Sequence, residues 1–216
     1  MLNILLATSN PGKAVRYKRF FNGDAVTIYT CQELGIPLPE VDEDADLEEQ
    51  NAEEKAKKYY SALIKSEVEL PKGKWISLGV DTGLYFHNVG RKEQPGPHVK
   101  SIAGAGVFPE TVEETFNKMA TFYSGLTKKY GGKLDGYFTD AYTIYDGQNT
   151  LKEKATRPVQ MVDTMYVKDL NFPINSFIKV SDKYINEFDD TDYINYISPS
   201  FKAVGKLISK IQLRKE

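Results

Sequence analysis

Apolar and polar positions come in alternating blocks along this chain, and the blocks predict strands and helices in turn. Leu2 to Leu6 is an apolar run that reads as a strand and enters the polar turn Thr8-Ser9-Asn10. A helix is expected from about Pro11 to Phe21, burying Ala14, Tyr17 and Phe21, and then a strand at Ala25 to Tyr29. A loop with Pro37 and Pro39 leads to a second helix, Leu47 to Lys65, whose apolar stripe is Ala52, Ala56, Tyr59 and Leu63. Asp46 and Glu49 have capping-box spacing at its start. After a turn at Lys72-Gly73, Trp75 to Val80 reads as a short strand with Asp81-Thr82-Gly83 at its end. Gly90 to Pro97 reads as loop, Pro109 to Lys129 as a long helix, and Tyr137 to Tyr145 as a strand. Asp146-Gly147 is a hairpin turn signal, the return strand runs from Thr150 to about Val162, and Ser200 to Ile211 forms a last amphipathic helix. Strands that first alternate with helices and then form a hairpin predict an α/β fold with a mixed sheet, in one continuous domain over residues 1–216 with a cleft between two lobes.

Composition narrows the function classes. A chain of 216 residues with a net charge of −2 has no basic run that would track nucleic acid. Cys31 is the single cysteine, so no intrachain disulfide can form, and a reducing, cytoplasmic setting is expected. The amino end lacks the pattern of a signal peptide, and no apolar stretch approaches the ~20 residues of a membrane span. The acidic run Glu40 to Glu49 reads first as a solvated loop and helix start.

Two features carry candidate chemistry. In Thr8-Ser9-Asn10-Pro11-Gly12-Lys13 a strand ends, Asn10 suits the N-cap and Pro11 suits the first helical position. Such a helix start offers backbone N–H groups and partial positive charge to a phosphate, and Lys13 adds a full charge. The bland alternative is an ordinary strand–turn–helix unit with a solvated lysine. The second feature is acidic: Glu43, and Asp81 beyond the central strand, with Asn51 and Lys55 one turn apart on the second helix. Carboxylates beside a phosphate seat imply Mg²⁺, which takes one or two carboxylates and completes its shell with water and substrate phosphates. The two histidines, His87 and His98, and the lone Cys31 give no zinc site or Cys/His nucleophile pair. Taken alone, Asp81-Thr82-Gly83 reads as a plain turn.

Taken in order, these segments resemble the inosine triphosphate pyrophosphatase (Ham1-like) family of house-cleaning enzymes. Ala7-Thr8-Ser9-Asn10-Pro11-Gly12-Lys13 is similar to its A-T-G-N-x-G-K, Glu49 to Ala56 to its E-N-A-x-x-K-A helix, and Val80-Asp81-Thr82-Gly83-Leu84 to its D-[ST]-G-L element. Pro95-Gly96-Pro97-His98 looks like the following P-G-x-aromatic segment. The resemblance implies an elongated mixed β-sheet with flanking helices and two lobes around a central cleft, in a homodimer. It also implies Mg²⁺-dependent hydrolysis of aberrant purine nucleoside triphosphates to monophosphate and pyrophosphate. On that likeness Thr8, Ser9, Asn10, Gly12 and Lys13 hold the triphosphate, and Lys55 and Thr82 contact substrate. Glu43, with Glu40 in reserve, and Asp81 bind the metal, and Asp81 is also the general base.

The chain departs from the family pattern in three places. Val80 stands where a second acidic residue is usual. The family's F-G-[YW]-D-P corresponds to Asn171-Phe172-Pro173-Ile174, and its S-H-R is replaced near Ser198-Pro199-Ser200. The phosphate half is therefore kept and the base-reading half altered. The alternative reading is a catalytically silent nucleotide-binding or partner-binding protein on the same scaffold.

Overall fold

The computed structural model describes residues 1–106 and 109–213. Among these residues are seven strands: β1 (Leu2–Ala7), β2 (Val26–Tyr29), β3 (Lys74–Phe86), β4 (Lys133–Tyr145), β5 (Thr150–Val162), β6 (Ile178–Val180) and β7 (Lys183–Tyr184). Five α-helices accompany them: α1 (Pro11–Phe21), α2 (Cys31–Leu34), α3 (Glu48–Lys65), α4 (Val112–Lys129) and α5 (Asp190–Leu213). The strands form one mixed sheet in the order β2-β1-β3-β4-β5-β6-β7. The expected mixed α/β fold with flanking helices is what the chain adopts. Among the described residues, no helix is long and apolar enough to cross a membrane.

The chain divides into two compact units, one made of 1–82, 140–155 and 200–216 and the other of 83–139 and 156–199. In the first, β1 pairs in parallel with β2 and β3, with Leu2 opposite Val26 and Lys74 and Ala7 opposite Gly79. The alternation of β1 sends Leu2, Ile4 and Leu6 into one core, where they meet Tyr17, Ile76, Leu78, Val80, Tyr142 and the α5 residues Val204 and Leu207. Leu5 and Ala7 point the other way, into a second cluster with Cys31, Tyr59 and Leu63. Burial raises the Cys31 thiol to about 11, which leaves it inert. In the second unit, β5, β6 and β7 pair antiparallel, and Thr111 and Glu114 form a capping box on α4.

Several expectations change. The D-T-G element is no turn: β3 runs straight through Asp81, Thr82 and Gly83 to Phe86. Val80 and Asp81 are both buried, so the chain stays extended where composition alone suggested a stop. The Asp46–Glu49 box does not form, because α3 starts one residue later, with Leu47 at the cap and no side-chain bond to it. The last helix begins at Asp190 and carries Pro199 inside it. The helix α2 falls in the expected loop, and Thr30 and Glu33 make a reciprocal capping box around it.

Candidate functional site

The site is set by how closely α3 lies on β3. Along β3, Ile76, Leu78 and Val80 face the α1/α5 core, so Ser77, Gly79 and Asp81 face α3. Ser77 Oγ donates to Ala56 O at 2.6 Å. A Cβ on Gly79 would lie 1.9 Å from Ala52 O, so only glycine allows the approach. The same contact brings the polar residues of that helix face, Asn51 and Lys55, over Asp81.

Asp81 is 6% exposed. Its Oδ1 lies 2.7 Å from Lys55 Nζ, and its Oδ2 accepts from Asn51 Nδ2 at 3.2 Å. Asn51 also accepts from the Ala45 N–H at 3.2 Å, tying the acidic loop to the helix. Lys55 Nζ lies 2.7 Å from Glu43 Oε2 as well, so one ammonium bridges both carboxylates expected to bind metal. Asp81 and Lys55 are buried while Glu43 is exposed, so the cluster opens to solvent on the Glu43 side.

The carboxyl end of β1 supplies the other wall. Ala7 is opposite Gly79, and β1 stops there while β3 continues, which puts the Thr8 turn beside the edge that bears Asp81. Thr8 Oγ1 accepts from the Asn10 N–H, and Asn10 Oδ1 accepts from the Gly12 and Lys13 N–H groups. Pro11 has none to give, and the Ala14 N–H bonds Asn10 O. The amides expected to receive an anion are therefore occupied by the cap itself, which leaves the dipole and Lys13 as the positive features. Ser9 is exposed at the tip of the turn. Lys13 retains some surface, yet its ammonium is crowded by protein, and its pKa falls to about 8. Burial is the main cause, Lys55 and Arg16 add to it, and Asp81 and Asp140 oppose it.

Thr82 points to the opposite face of the sheet, where Oγ1 donates to Asp140 Oδ1 at 2.9 Å. Ser200 Oγ donates to Asp140 Oδ2 at 2.7 Å. Asp140 and Ser200 were missed in the sequence. The available signal was one aspartate inside an aromatic and β-branched strand, a position that must be polar for a reason.

The sequence pattern of the Ham1 family matches residues 4–153. The chain belongs to the Ham1 family. A dITP/XTP pyrophosphatase of Caldanaerobacter subterraneus subsp. tengcongensis is 30% identical over 148 residues, covering 68% of this chain and 65% of that protein. One from Thermoanaerobacter sp. is 31% identical over 145 residues, 67% of this chain and 64% of its own. The chain thus spans just under two thirds of the length of these curated relatives. The solved Ham1 protein of Staphylococcus aureus, 20% identical, aligns over 99% of this chain and 100% of its own with a TM-score of 0.66. The HAM1 protein of Coxiella burnetii, 14% identical, aligns over 97% and 100% with a TM-score of 0.70. These two likenesses concern the fold.

Proposed function

We propose that the protein is a Mg²⁺-dependent nucleoside triphosphate pyrophosphatase that releases pyrophosphate and a nucleoside monophosphate, with altered base preference. The observation that carries this is the convergence of Glu43 and Asp81 on one cationic atom, Lys55 Nζ, at 2.7 Å each, beside the turn that bears Lys13. The names of the relatives, dITP/XTP pyrophosphatases, support the same reaction.

The donor set fits Mg²⁺. Two hard carboxylates already point at one positive charge. That suits an ion that takes one or two carboxylates and draws its other ligands from water and phosphate. Glu43 and Asp81 would hold it, and when bound it supplies positive charge against the phosphate oxygens. Lys55 would shift from the carboxylates toward the substrate phosphates. Lys13, with the Thr8 to Gly12 turn, would seat the triphosphate. A water would attack the α-phosphorus, the bond to the α,β-bridging oxygen would break, and Asp81 would accept the water's proton at a carboxylate oxygen. Asn51 keeps Asp81 oriented through its bond to Oδ2.

We further propose a cytoplasmic homodimer, a reading supported by the single cysteine and the family likeness respectively. The test of function is hydrolysis with Mg²⁺ over ordinary and deaminated nucleoside triphosphates, with pyrophosphate scored apart from orthophosphate. Mg²⁺-dependent pyrophosphate release supports the reading, and orthophosphate alone refutes it. A second reading, a silent nucleotide-binding protein, draws on Lys55 standing between the two carboxylates. Thermal stabilisation by a nucleotide without turnover across the panel selects it.

A further inference from the structure

We propose that Asp140 is a positioning residue for the phosphate site: a buried carboxylate that keeps the Lys13 ammonium charged and held at the carboxyl end of β1. The inference rests on the reading that Lys13 receives phosphate.

Asp140 is 5% exposed and takes a hydroxyl donor on each oxygen, Thr82 Oγ1 at 2.9 Å from β3 and Ser200 Oγ at 2.7 Å from α5. Two donors favour the ionised form. The topology puts Lys13 above it. The helix α1 links the parallel strands β1 and β2 and so runs against them, as does β4, which is antiparallel to β3. The β3–β4 direction follows from Ser77 meeting Tyr145 while Thr82 meets Asp140. Therefore α1 and β4 run the same way. They touch at Tyr17 and Tyr142, whose hydroxyls are 3.3 Å apart. One turn back along α1 from Tyr17 is Lys13, a step of about 6 Å. Two residues back along β4 from Tyr142, on the same face, is Asp140, a step of about 7 Å. The two steps match, so the charges come together at the end of the sheet where β1 has stopped.

The charged groups that face Lys13 agree with this. Lys55 from α3 and Arg16 from α1 oppose its proton, and Asp81 from β3 and Asp140 from β4 favour it. Asp81 also pairs with Lys55, and Asp140 lies on the other face of the sheet. The hydroxyls of Thr82 and Ser200 fix the carboxylate, and the carboxylate joins Asp81 in favouring the charged lysine.

The test uses the full chain with its lysines ¹³C-dimethylated, the Lys13 signal being identified by its absence in Lys13→Arg. In Asp140→Asn the Lys13 signal is expected to titrate at lower pH than in the parent. Binding of inorganic tripolyphosphate, measured by calorimetry, is expected to weaken several-fold at pH 8 and little at pH 6.5. An unchanged Lys13 titration overturns the proposal, as does a loss of binding equal at both pH values. Should Asp140→Asn fail to fold, Lys13→Met reads the same coupling from the other partner: the Asp140 carboxyl carbon then titrates at higher pH, and no change there overturns it. Neither readout requires turnover. A parent that binds and titrates as expected, yet hydrolyses no nucleotide, supports this inference while refuting the enzymatic reading.

Discussion

Lys55 Nζ stands 2.7 Å from Asp81 Oδ1 inside a nearly dry contact between α3 and β3. Removing one member of such a pair is costly because the other charge is left buried. Here Lys55 keeps Glu43 as a second partner at 2.7 Å, so the carboxylate can be neutralised without stranding the ammonium.

Asp81→Asn should therefore fold, with a loss of about 3 kcal/mol or less in urea unfolding. Pyrophosphate release should fall by roughly 10²–10⁴-fold, the usual contribution of a positioned proton acceptor. Circular dichroism with a coupled pyrophosphate assay separates the two effects. Parental turnover in a folded variant would remove Asp81 from the chemistry.

The second prediction concerns Asn51. It accepts from the Ala45 N–H and donates to Asp81 Oδ2, so one neutral side chain joins loop, helix and carboxylate. Asn51→Ala strands the buried Oδ2 and releases the loop that carries Glu43. A stability loss of about 1–3 kcal/mol is expected, along with a higher Mg²⁺ concentration for half-maximal rate. An unaltered Mg²⁺ requirement would show that the loop is held by other contacts.

Much of this was legible in the sequence, for physical reasons that differ by element. The stripe Ala52, Ala56, Tyr59 and Leu63 read correctly because helical period and burial coincide there. The strand Thr150–Val162 and the α1 limits Pro11–Phe21 were also found as drawn. Asp81 was placed at a strand end because a polar residue beside Thr-Gly resembles a turn. Its partners Asn51 and Lys55 lie 30 and 26 residues away, too far for local spacing to show that they meet it. Asp140 escaped notice for the same reason, since the hydroxyls that satisfy it come from Thr82 and from Ser200, 58 and 60 residues away. The occupied amides at the start of α1 follow from Asn10 being a strong N-cap, so the residue that marks the helix start also takes its donors.

The third prediction is a pH dependence. The Lys13 ammonium, ordinarily at 10.5, is brought down to about 8 chiefly by burial. Between those values the unfolded chain holds a proton that the folded one has released, so this residue makes stability rise with pH from about 8 to 10.5. Below about 8 its destabilising charge is fully present. Lys13→Met should flatten that rise in urea midpoints. Activity should move oppositely in the parent, with kcat/KM falling as pH passes about 8 and the phosphate site loses its charge. Arginine keeps its charge throughout this range, so Lys13→Arg should carry the alkaline limb out of it. A limb that stays in place in Lys13→Arg would assign it to another group.

The last prediction tests whether the helix contact builds the site. A methyl on Gly79 would meet Ala52 O at 1.9 Å and Ala56 N at 2.8 Å, both backbone atoms of α3 that no rotamer change can move aside. The helix must lift, and Asn51 and Lys55 lift with it from Asp81. Gly79→Ala should thus cost about 3 kcal/mol or more, the upper range for overpacking, and remove the proposed pyrophosphate release. Gly205→Ala is the control, since Gly205 lies in α5 with open space at its Cβ position. It should gain about 0.5–1 kcal/mol from helix propensity with activity retained. If Gly79→Ala melts with the parent, α3 does not press on β3 as described, and the alignment of Asn51 and Lys55 over Asp81 has another cause.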